Sequence, residues 1–98
     1  MLDARSVIST PRTVLGVIDR TPDIRGHVPA RPSWLCADAD CRDRWPCVWA
    51  RVMLGAAAGR DRVGLSVLMA QVLHVAVRDL VEVADPHDLY GRMVEWTR

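Results

Sequence analysis

Residues 26–47 read Gly26-His27-Val28-Pro29-Ala30-Arg31-Pro32-Ser33-Trp34-Leu35-Cys36-Ala37-Asp38-Ala39-Asp40-Cys41-Arg42-Asp43-Arg44-Trp45-Pro46-Cys47. The stretch holds every cysteine of the chain, one histidine of 3 and two tryptophans of 4. Pro29, Pro32 and Pro46 each remove a backbone donor and restrict the residue before them, so no continuous helix runs through it. A loop of this kind needs something to hold it. The spacing His27-x8-Cys36-x4-Cys41-x5-Cys47 offers a Cys3His set, the donors that zinc takes in closed tetrahedral structural sites. His27, Cys36, Cys41 and Cys47 are therefore the candidate ligands of a structural zinc. His74, His87, Asp38 and Asp40 are the other candidates for the fourth position. An iron–sulfur cluster is the second metal species to weigh, although it normally takes four cysteines. Three buried free thiols packing as small hydrophobes are the alternative without a metal.

Outward from the loop, the pattern changes to helical. Pro46 suits a first helical position, and Cys47 to Leu54 places apolar groups at three- and four-residue spacing as far as Gly55 and Gly59. Asp61 can cap a second helix, over 61–81, whose Leu65, Leu68, Met69, Val72, Val75, Ala76 and Leu80 make a broad apolar face. Gln71, His74 and Arg78 leave only a narrow polar stripe. Such a helix is central to a bundle or pressed against a second copy of itself. Asp85-Pro86 reads as a cap and first-turn pair that opens a third helix, to about Trp96. Val14 to Ile18, between Pro11 and the turn-like residues 19–23, is β-branched and suggests a short extended arm. The expected fold is mainly α: a zinc knuckle followed by about three helices, with a short extended N-terminal arm. Residues 1–25 form the arm, and 26–98 the knuckle plus helical domain.

Composition narrows the function. A chain of 98 residues, 50% hydrophobic and 26% charged, makes one soluble-type domain in which a metal-closed loop contributes materially to stability. All 13 basic residues are arginine, as a GC-rich genome would encode. Residues 1–33 carry a net +2 and residues 34–98 a net −1, for +1 in all. That lacks the basic excess of a protein that grips phosphates, so nucleic acid is not the expected partner. Asp3, Arg5, Pro11 and Arg12 interrupt any secretory signal, and Val63 to Val77 is short for a membrane span. A cytoplasmic protein is the expectation, and a reducing compartment favours metal thiolates over disulfides. There is no phosphate-binding glycine loop, nucleophile elbow or helical His-Glu metal motif.

His27-Val28-Pro29-Ala30-Arg31-Pro32-Ser33-Trp34-Leu35-Cys36, then Cys41-Arg42-Asp43-Arg44-Trp45-Pro46-Cys47, then Leu89-Tyr90-Gly91-Arg92-Met93-Val94-Glu95-Trp96-Thr97-Arg98 resemble a group of small actinobacterial proteins. Their pattern is H-x-P-x-R-P-S/T-W-x-C, C-G-x-x-W-P-C and L-Y-x-R-F-L-x-W-T-R, and they often bear the automatic label "flavin reductase". The resemblance covers about residues 26–98 and implies that His27 completes the Cys3His set. Two departures stand out: four residues rather than two separate Cys36 from Cys41, and Arg42 replaces a glycine. The enzyme label does not carry over, because the chain has neither the length nor the phosphate loop to hold flavin and nicotinamide. The expected function is a structural-zinc protein acting as a protein-binding or regulatory adaptor, including as a homodimer through helix 61–81. A redox or flavin-dependent enzyme and a zinc-finger-type DNA-binding regulator are the alternatives.

Overall fold

A computed structural model describes residues 11–98. Among the described residues four helices follow one another: α1 (Pro11–Asp19), α2 (Val48–Ala58), α3 (Arg62–Leu80) and α4 (Pro86–Met93), with a closing 3₁₀ turn at Glu95–Thr97. The long loop between α1 and α2 is the proline- and cysteine-rich stretch. The mainly α architecture with a cysteine-bearing loop before three helices is the one expected from the sequence.

α3 is the spine. Its Leu65, Met69, Val72, Val75, Ala76 and Leu80 are buried, and α1, α2, α4 and the 3₁₀ turn all pack on it. Asp61 caps it as expected, its carboxylate accepting from the Gly64 N–H at 2.8 Å, and Asp85 caps α4 by accepting from the His87 N–H at 2.9 Å. Each such cap satisfies a donor that the helix leaves unpaired, and is worth about 1 kcal/mol. At 19 residues α3 is long and apolar enough, by length and composition, to cross a membrane. In this structure it instead carries the core.

Two local expectations are corrected. Residues 11–19 are helical rather than extended. Pro11 opens the helix and Val14 and Ile18, four apart, bury one face, so packing outweighs the β preference of the branched side chains. The remainder of the expected arm, residues 1–10, lies outside the described residues. Pro46 precedes α2 rather than opening it, and Cys47 is the N-cap.

The loop is folded by its backbone. Isolated bridges pair Pro29 with Cys36 and Leu35 with Arg44. The Trp45 N–H donates to Trp34 O at 3.0 Å and the Cys36 N–H to Asp43 O at 2.7 Å. Trp34 and Trp45 are fully buried and meet edge to face at 6.2 Å, so they form the floor of the loop. Trp34 has a φ of 58°, a left-handed conformation that costs of order 1 kcal/mol or more for a non-glycine residue. It is held there because its N–H donates to Ala30 O at 2.7 Å and its carbonyl accepts from Trp45.

Candidate metal centre

His27 leaves the turn after α1, where its N–H donates to Ile24 O at 2.9 Å and its carbonyl accepts from the Trp45 indole at 2.9 Å. The ring is therefore aimed by backbone bonds on both sides. Cys36 lies on the paired segment of the loop. Cys41 follows a turn in which the Asp38 carboxylate accepts from the Asp40 N–H at 2.9 Å and the Asp38 carbonyl from the Cys41 N–H at 3.0 Å. This side-chain-closed turn is a shape that aspartate supports well. Cys47 sits at the N-cap of α2 and makes no side-chain capping bond, which leaves its sulfur free at the positive end of the helix.

These elements bring the four side chains together. One ligand atom from each of His27, Cys36, Cys41 and Cys47 lies within 4.8 Å of the other three. His27 Nδ1 is 3.2 Å from Cys36 Sγ and 3.4 Å from Cys47 Sγ, and the two sulfurs are 3.9 Å apart. Cys36 and Cys47 are buried, His27 and Cys41 half-buried. Among the other fourth-ligand candidates, His74, His87 and Asp40 are exposed and outside the group. Asp38 instead faces the far side of the imidazole, with its Oδ2 3.7 Å from His27 Nε2.

Comparison with family models, with curated proteins and with solved structures finds no match.

The chemistry of the group points to a cation. In the bare chain, burial first, then hydrogen bonds from Cys41 and Cys47, push the Cys36 thiol up to about 12, against a lowering by a backbone hydrogen bond at Asp38. A Cys36 thiolate is thus too costly to form on its own, and a metal ion that binds it must displace its proton. With Nδ1 directed at the sulfurs, Nε2 is left to face a carboxylate, the arrangement that orients a metal-bound histidine and raises its basicity. Trp49 stacks on the ring at 5.6 Å and its indole donates to Asp23 O at 2.8 Å. The Arg25 guanidinium lies 5.7 Å from the centroid of the same indole, a cation–π contact that helps to hold Trp49 in place.

Two anchors that sequence reasoning did not single out fix the loop to the helices. Asp79 of α3 accepts from Arg31 Nε at 2.7 Å, from Arg31 Nη2 at 3.0 Å and from the Trp34 indole at 2.7 Å. Arg31 Nε and Nη2 are thus committed to α3 rather than to the thiols. Arg92 of α4 donates from Nε to Trp45 O at 2.7 Å and from Nη2 to Trp34 O. No local signal marks either set of contacts, because the partners lie 45 to 58 residues away.

Proposed function

We propose that the chain is a structural-zinc protein in which the ion clasps the loop, and that the fold so held presents α3 as a protein-binding surface. The clustering of three thiols and one imidazole around a single point carries the first part. With Zn–S about 2.3 Å and Zn–N about 2.0 Å, a regular tetrahedron spaces sulfurs about 3.8 Å apart and sets the nitrogen about 3.5 Å from each sulfur. The separations of 3.9, 3.2 and 3.4 Å among His27, Cys36 and Cys47 fit such an ion, and the Cys41 sulfur lies within 4.8 Å of all three. His27, Cys36, Cys41 and Cys47 would hold it, and four protein ligands leave no open position for a substrate. A structural role therefore suits the site better than a catalytic one.

The second part rests on the outer side of α3. Val63 and Val67 are 76% and 53% exposed, and Ala70 and His74 continue the same face at helical spacing, both exposed. An apolar strip left open along a core helix is the kind of surface that a partner covers, and a second copy of this chain is the occupant we favour. Chelator titration followed by circular dichroism tests the clasp: unfolding on metal removal supports it, and an unchanged spectrum and melting temperature contradict it. Light scattering on the zinc-loaded chain tests the surface, with a dimer expected for the parent and a monomer for Val67→Asp. A parent that stays monomeric at high micromolar concentration contradicts the dimer.

A further inference from the structure

Beside the knuckle, Arg44 of the loop, Arg51 of α2 and Arg92 of α4 line one cavity of about 380 Å³, with Leu89 in its wall and Asp85 and Asp88 also lining it. The three arginines come from three separate elements, so the fold and not the local sequence brings them together. Among the described residues none of them pairs with a carboxylate, since the close ion pairs are Arg31–Asp79 and His27–Asp38.

Two of the three are held by bonds to backbone that spend only part of each guanidinium. Arg51 donates Nε to Pro46 O at 3.1 Å, and Arg92 donates Nε to Trp45 O at 2.7 Å and Nη2 to Trp34 O. Arg51 thus keeps both terminal nitrogens and Arg92 keeps one. Arg44 makes no side-chain hydrogen bond or ion pair among the described residues. After burial, it is Arg44 and then Arg51 that push the Arg92 guanidinium below its ordinary value, as like charges in proximity do. The Asp85 carboxylate is engaged in capping α4. Counting three arginines against two aspartates, the lining carries a formal +1.

We propose that this cavity binds the oxyanion group of a small metabolite bearing a phosphate or a carboxylate. Planar guanidiniums offer paired donors that match either group, and a volume of 380 Å³ is near the lower end of the range of small-molecule pockets, roughly 300–1,000 Å³. A concave site of this size does not suit an extended polyanion. Asp88, without a pairing partner, can accept from a hydroxyl or amine elsewhere on the same ligand. None of the three arginines is a ligand of the knuckle, so the cavity forms whichever ion closes it.

The test uses the full chain labelled with ¹⁵N and titrated in parallel with inorganic phosphate and with succinate. Sodium chloride of matched ionic strength is the control, and the arginine Nε–Hε resonances are the readout. Saturable shifts of Arg51 and Arg92 with either anion are expected, about tenfold weaker binding in Arg44→Gln, and unchanged binding in Arg60→Gln. Saturation by phosphate alone assigns a phosphate ligand, and by succinate alone a carboxylate. Arg44 is exposed, and its side chain makes no bond on which the fold relies, so its variant retains the parent's melting temperature. Shifts that only follow ionic strength, or an equal loss in Arg60→Gln, would overturn the proposal.

Discussion

Replacing Asp79 separates the contributions that fasten the loop to α3. In Asp79→Leu the Arg31 pair and the acceptor for the Trp34 indole disappear together. Arg31 is 40% exposed in that pair, so its loss is a surface effect of about 0.5–1 kcal/mol. Trp34 is wholly buried, and an indole N–H left without a partner there costs about 1–3 kcal/mol. The expected destabilisation is thus about 1.5–4 kcal/mol. Asp79→Asn keeps a carbonyl oxygen for the indole and for Arg31 Nε but gives up the charge and the acceptor for Arg31 Nη2, so about 1 kcal/mol is expected. Urea unfolding of the metal-loaded parent and both variants measures the difference. Equal losses in the two variants would refute the assignment of the larger share to the indole. The pH dependence gives a second check. Arg31 first, and the Trp34 indole after it, hold the Asp79 carboxyl below the usual carboxylate range. A group whose folded value is lowered stabilises fully above its unfolded value of about 3.9, and that stability is lost as pH falls through the folded value. The gap between parent and Asp79→Asn should therefore be constant near neutrality and shrink below about pH 4.

Asp38→Asn, which removes the charge facing His27 Nε2, should weaken zinc affinity by about tenfold in a competition titration, at the low end for such second-layer partners. Arg92→Met leaves the Trp45 carbonyl without its donor and takes one of two donors from the Trp34 carbonyl, and should lower unfolding stability by about 1–2 kcal/mol, measured in denaturant. Gly59, which ends α2 with a φ of 59° and has no atom within 4 Å of where a Cβ would stand, tolerates a methyl group sterically but not conformationally. Gly59→Ala should cost about 1 kcal/mol in the same measurement.

The four clustered side chains were legible because the thiols occupy a proline-rich loop with no apolar period, so they had no helical face on which to be ordinary core. The three later helices were legible from periodicity and from Asp61 and Asp85, whose capping bonds form where the sequence placed them. The helical state of residues 11–19 was hidden because Val14 to Ile18 has strand-like composition, and only the fit of Val14 and Ile18 against the core decides otherwise. Cys47 as N-cap, rather than a residue inside α2, depends on how the loop delivers Pro46. Asp79 and Arg92 were invisible for a different reason. Each meets groups far along the chain, so neither the period of α3 nor the L-Y-x-R ending that contains Arg92 tells what the side chain holds.

X-ray absorption at the zinc edge, on chain purified without chelator from zinc-supplemented cells, tests the central claim most directly. One zinc per chain is expected, with three sulfurs at about 2.3 Å and one nitrogen at about 2.0 Å, and one sulfur fewer in Cys41→Ser. A chain that retains no metal, or a zinc shell dominated by oxygen, would contradict the account.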